Sequence, residues 1–202
     1  MSLIILLAVL VALALWFIGV YNSLIGLKNQ VANAWKQIDV QLKRRHDLIP
    51  NLVETVRGAM SFERETLEAV VKARNQAIAV RGAAVPAGGA PSPATVRETA
   101  AAEGQLTAAL SRFMAVVEAY PQLKATANVG QLQEELTSTE NRIAFARQMY
   151  NDTATQYNTA QQQFPTSLVA GLAKAAPAEL WEVTDAAERA VPKVDLSFDR
   201  KA

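Results

Sequence analysis

The chain contains no cysteine. Disulfides, thiolate zinc sites, a cysteine nucleophile and a lipid-modified N-terminal cysteine are therefore all excluded. Histidine is nearly as scarce: His46 stands alone, so neither a two-histidine metal motif nor a Glu-x-x-His di-iron pair fits within one chain. An excess of charge is missing too. Lys plus Arg number 20 and Asp plus Glu 19, a formal net charge of +1. Phosphate binding normally shows as a clear basic excess, so this balance argues against nucleic acid as the main partner. No P-loop, G-x-G-x-x-G, H-E-x-x-H or G-x-S-x-G pattern occurs, and no cofactor is expected. No strand-like alternation competes with the helical patterns below.

What is present begins with "LIILLAVLVALALWFIGV", an uncharged run from Leu3 to Val20. At 1.5 Å per residue it reaches roughly 27 Å, close to the ~30 Å thickness of a bilayer's hydrocarbon. Trp16, Phe17 and Tyr21 gather at its C-terminal end, where interfacial aromatics belong. A cleaved signal peptide would want a cationic start and a small-residue cleavage site. Only Met1 and Ser2 precede the run, and it ends in bulky residues, so residues 1–21 read as a retained transmembrane anchor. Lys28, Lys36, Lys43, Arg44 and Arg45 all follow the span and no cation precedes it. The positive-inside tendency then places the N-terminus outside and the remainder in the cytoplasm.

Beyond the span, Leu24, Leu27, Val31, Ala34, Ile38 and Leu42 recur at spacings of three and four, the seam of a helix that packs in a bundle. No turn signal separates this pattern from Tyr21, so the anchor is expected to continue into it. The helix is expected to end near His46, with Asp47 capping a second helix and Pro50 in its first turn. One long helix kinked at Pro50 is the other reading. The second stretch runs from Leu52 to Ile78, loosened near Gly58 and Ser61. "GAAVPAGGAPSP", residues 82–93, is a linker. A third helix carries Leu106, Leu110, Phe113, Val117 and Tyr120 and stops at Pro121. The fourth has the most regular seam, Leu132, Leu136, Thr139, Ile143, Ala146, Tyr150, Thr153, Tyr157, Ala160 and Phe164, ended by Pro165. The expected fold is all-α: a transmembrane helix continuing into an antiparallel up-and-down four-helix bundle over residues 22–165. Residues 166–202 are expected to form a short helix and a flexible tail.

In that arrangement "QLKRRHDLIPNL", residues 41–52, marks the turn farthest from the bilayer, about 37 Å down the first helix. Screening sets in at ~8 Å, so this corner is no lipid patch unless the domain lies flat. Lys43, Arg44, Arg45, His46 and Asp47 are either turn chemistry, cations meeting the helix macrodipole, or a protein-docking site. An acid or base role for His46 with Asp47 lacks a nucleophile to serve. Glu134, Glu135 and Glu140 open the fourth helix beside these cations, where salt bridging is expected. At the other end, Leu168 and Leu172 on a short helix, with Trp181 beyond, either touch the membrane interface or cap the open end.

"YNSLIGLKNQVANAWKQIDVQLKRRHDLIPNLVETVRG", with "ENRIAFARQMYND" and "FPTSLVA", resembles the LemA family of bacterial membrane-anchored proteins. The resemblance runs from the anchor to about Ala170. It implies one N-terminal membrane helix with a short outer end, then a four-helix up-and-down bundle, in the bacterial inner membrane. It implies no established enzymatic activity. The chain departs most from the family in the residue 82–93 loop and after Lys174.

Three functions stay in view. The first is a non-enzymatic scaffold that presents a cytoplasmic bundle to partner proteins. The second is a lateral homo-oligomer that organises or shapes membrane. The third is an enzyme, or enzyme subunit, using His46 and Asp47.

Overall fold

A computed structural model describes residues 1–57, 63–83, 89–120, 127–172 and 175–182. Among them there are five helices and no strand: α1 Ser2–Arg57, α2 Arg64–Ala83, α3 Pro93–Glu118, α4 Ala127–Gln162 and α5 Thr166–Leu172. Gly58, Ser61, Pro121, residues 84–88 of the central linker and the last twenty residues lie outside the described residues.

The first helix does not end at His46. α1 is 56 residues long, about 84 Å, and passes through Pro50 without a break. Its buried face explains why. Leu42, Arg45, His46, Ile49, Leu52, Val53 and Val56 are all buried and keep one phase of three and four across the proline. A turn at Asp47 would have thrown Ile49 to Val56 off that face. Proline lacks the N–H that would bond the carbonyl four residues back, here that of His46. Arg74 on α2 replaces it, its Nε donating to the His46 oxygen at 2.7 Å. A neighbouring helix thus offsets most of the cost that made the turn the expected reading.

From Ser2 to Gly19 every residue of α1 is exposed, whereas Leu24 is 2% exposed and starts the packed face. Among the described residues α1 is the one helix long and apolar enough to cross a membrane, by length and composition. The same rod therefore carries an unpartnered apolar third and a packed remainder.

Local chemistry sets the other boundaries. Ser92 caps α3, its Oγ accepting from the Thr95 N–H at 3.1 Å, with Pro93 in the first turn, where a missing donor costs nothing. α4 stops at Gln162, just before Phe164–Pro165. It runs opposite to α1: Arg45 meets Glu140, and Trp35 meets Tyr150. α2 returns along α1, with Arg74 at His46 and Arg81 paired to Asp39.

Two apolar cores result. The near core holds Leu24, Val31, Trp35, Ile38 and Leu42 of α1 with Val96, Ile143, Tyr150, Tyr157 and Trp181. The far core holds Ile49, Leu52, Val53 and Val56 with Leu67, Val70, Leu106, Phe113, Val117, Val129 and Leu136. Each fully buried aliphatic side chain contributes about 1.5–3 kcal/mol.

Candidate functional site

Between the two cores, three helices place charged groups at one level. Arg45 and His46 come from α1, Glu103 and Thr107 from α3, and Glu140 from α4. Arg45 and His46 are 1% exposed and Glu103 is fully buried. The Arg45 guanidinium pairs with Glu103, donates to Thr107 Oγ1 at 3.1 Å and to Glu140 Oε2 at 2.6 Å. His46 Nε2 lies 2.9 Å from Glu103 Oε1. An ionised carboxylate only accepts, so His46 donates there through a protonated Nε2. Burial alone would push the Glu103 carboxyl up. The His46 hydrogen bond and the Arg45 charge outweigh it and hold Glu103 below the usual carboxylate range.

These groups spend their charge on one another. Removing one partner of such a buried pair strands the other, at a cost of about 3–5 kcal/mol. Among the described residues no three His, Cys, Asp or Glu side chains come together as a possible metal site.

This geometry corrects the reading of the cluster at residues 43–47. Arg45 and His46 are interior and do not belong to a docking surface, because α1 continues and turns them inward. Lys43, Arg44 and Asp47 are exposed on the flanks of the same helix. Arg44 reaches Glu135 at 4.0 Å, in the expected neighbourhood of the fourth helix's acids. His46 and Asp47 do not form a catalytic pair: one is buried on Glu103, the other faces outward.

The residues expected at a membrane interface divide as well. Trp16, Phe17 and Tyr21 are exposed on the apolar part of α1, and Leu168 and Leu172 are exposed on α5. Trp181 is not an interface residue. It is 4% exposed, its ring 5.8 Å from that of Trp35, with the Arg147 guanidinium 5.1 Å above it.

Trp181 belongs to a strap, residues 175–182, that lies along α4 outside any helix. Asn158 donates to the Ala178 carbonyl at 2.8 Å and accepts from the Ala178 N–H at 2.8 Å. Asn151 does the same with Trp181, at 3.0 and 2.8 Å. Tyr150 donates its hydroxyl to the Glu179 carbonyl at 2.7 Å, and burial pushes that hydroxyl's pKa up, with the Glu179 charge adding to it. Sequence reasoning missed this constellation. The readable signal was two asparagines seven residues apart on one face of a helix whose seam is otherwise apolar.

The LemA family model matches residues 34–196. Protein LemA of Metamycoplasma hominis is 26% identical over 156 residues, covering 76% of this chain and 65% of that protein. Magnetosome protein MamQ of Magnetospirillum gryphiswaldense is 24% identical over 164 residues, covering 74% of this chain and 60% of that protein. Magnetosome protein MamQ 2 of Paramagnetospirillum magneticum matches to the same extent, 24% over 164 residues. The chain thus spans 60–65% of the length of these curated relatives, just under two thirds.

Proposed function

The chain belongs to the LemA family, and on that premise we propose that it is a membrane-tethered, non-enzymatic scaffold. Residues 1–21 anchor it in the bacterial cytoplasmic membrane with the N-terminus outside. A four-helix up-and-down bundle over residues 22–165 stands in the cytoplasm and meets protein partners there.

One observation carries this reading: α1 is a single helix whose first third is exposed and apolar and whose remainder builds both cores. A tether made this way is stiff. A flexible linker would let the bundle tumble, whereas a continuous helix holds its sides and far end at fixed heights above the lipid. The charged layer supports the non-enzymatic part, since Arg45, His46 and Glu103 are bound to one another rather than open to a substrate. Lys43, Arg44 and Asp47 remain outward on the flank, available to a partner.

The absence of cysteine makes the test clean. Lys43→Cys supplies a unique thiol in the full-length chain, probed with a membrane-impermeant maleimide in intact and in permeabilised cells. Labelling only after permeabilisation, in protein that stays with membranes through carbonate washing, is the expected result. Labelling in intact cells reverses the orientation, and release by carbonate removes the tether.

A lateral homo-oligomer is the second reading. A specific feature favours it: Phe145 is 70% exposed beside Met149 at 38%, in a groove shared with Gln37 and Gln41 of α1. Parallel tethers would bring such faces of neighbouring copies to one height. A strict monomer at native membrane density would remove this reading.

A further inference from the structure

We propose that the trough on α4 now holding residues 175–182 is a recognition site for extended peptides, and that the strap is its built-in occupant. The partner it fits is an unstructured segment of another protein carrying a small residue and, three positions later, a tryptophan. This gives the scaffold reading its partner chemistry and rests on that reading only for its use in the cell.

Four observations carry the inference. The bonds that Asn151, Asn158 and Tyr150 make to the strap all go to its main-chain atoms. Each asparagine exchanges two hydrogen bonds with one residue's N–H and C=O, as a neighbouring β-strand would, so this part of the trough reads an extended backbone and no side chain. The register fits that role. Asn151 and Asn158 are seven residues apart, about 10.5 Å along a helix. Ala178 and Trp181 are three apart, about 10 Å along an extended chain. The helix thus offers a pair of bonds at each matching step of a peptide.

Selectivity comes from one anchor. Trp181 enters a pocket formed by Trp35, itself edge-on to Tyr150 at 5.5 Å, and by Arg147. Indole against indole, with a guanidinium on its face, favours tryptophan over aliphatic side chains. Arg97 adds a rim contact, 3.0 Å from Glu179, that favours an acid two positions before the anchor.

The strap is also the part of the packed body best suited to exchange. It lies in no helix and makes no ladder of its own: Ala175 at its start donates its N–H to the Ala170 carbonyl at 3.0 Å, and from Ala178 to Trp181 its hydrogen bonds go to side chains. Short segments of this kind open locally far more readily than the body they cover. The apparent affinity for a competing peptide is then the intrinsic affinity reduced by the fraction of time the strap is open.

The test uses the full-length chain in nanodiscs and a fluorescein-labelled peptide with the sequence of residues 175–182, followed by anisotropy. Trp181→Ala weakens the internal occupant and leaves the trough intact. This variant should bind the peptide saturably and about tenfold or more tighter than the wild type, in which the strap competes. Adding Asn151→Leu and Asn158→Leu should abolish binding, as should replacing the peptide's tryptophan by alanine. No saturable binding to a Trp181→Ala protein with native circular dichroism overturns the proposal. Equal binding of a scrambled peptide, or of the double asparagine variant, overturns it too. If Trp181→Ala fails to fold, Ala178→Pro takes its place with the same expected and overturning results, since it deletes the N–H donated to Asn158 and leaves Trp181 in its pocket. Carbonate extraction of the same proteins reports separately on the tether, so its loss is not mistaken for loss of peptide binding.

Discussion

The two cores on either side of the charged layer share α1, α3 and α4, with α2 adding to the far one, and they differ in how they close. Among the described residues the far core is aliphatic with a single buried ring, Phe113, and all its buried members come from helices. The near core is aromatic, with Trp35, Tyr150, Tyr157 and Trp181, and a non-helical strap completes it through bonds from asparagine and tyrosine side chains. Packing without polar atoms tolerates no exchange of partners. A core finished by a segment held through side chains can trade that segment for another. On the exchange proposed above, the core nearer the apolar third of α1 is the adaptable one.

The layer that joins the cores gives the largest expected effect. Glu103→Gln leaves Arg45 and His46 buried without their shared anion and should cost about 3–5 kcal/mol in denaturant unfolding. Replacing Arg45, His46 and Glu103 together by Met, Leu and Leu should recover most of that loss, because no stranded charge remains. If Glu103→Gln proved neutral, the layer would not be what couples the two cores.

Arg74 comes next. Arg74→Ala leaves the His46 carbonyl unpaired opposite Pro50 and should cost about 1–3 kcal/mol. In a Pro50→Ala background the helix supplies its own N–H, and the same substitution should cost clearly less. An unchanged cost in the double mutant would show that Arg74 acts through something other than the proline gap.

Acid sharpens the comparison further. The folded-state pKa of Glu103 lies below its unfolded value near ~4.3, so its contribution is fully present above that pH. It is lost as pH falls through the lower folded value. Wild-type stability should therefore drop below about pH 4.3, and its advantage over Glu103→Gln should shrink with it. A gap between the two proteins that stays constant down to the acid limit would contradict the assignment. The smallest effect belongs to the neighbour of Arg45. Arg44→Ala loses only a half-exposed pair with Glu135 and should change stability by less than about 1 kcal/mol.

Much of this was legible in the sequence. On the α4 seam Leu136, Thr139, Ile143, Ala146, Tyr150 and Tyr157 are buried as the spacing predicts, whereas Leu132, Thr153 and Ala160 are half-buried and Phe164, beyond the helix end, is exposed; Ser92–Pro93 starts α3 where a linker should end. The first helix was misread at His46 because capping and dipole effects explain each residue type from 43 to 50 one by one. The contrary signal was phase. Arg45 continues the α1 seam, and Glu103 sits three residues before Leu106 on the α3 seam. Opposite charges that each fall in step with an apolar stripe are candidates for a buried pair, but which partners meet depends on tertiary register that no local window contains. The strap was hidden for the same reason. Its bonds join residues twenty to thirty positions apart and use its backbone, which leaves little trace in residue type.

The continuity of α1 through Pro50 bears the most weight, and one distance tests it. Spin labels on Lys28→Cys and Glu54→Cys, both exposed positions in a chain without other thiols, report the length of the rod by double electron–electron resonance. Twenty-six residues of unbroken helix predict a separation of about 39 Å. A chain that reverses at His46–Asp47 would bring the labels to within about 25 Å, and that result would contradict the account.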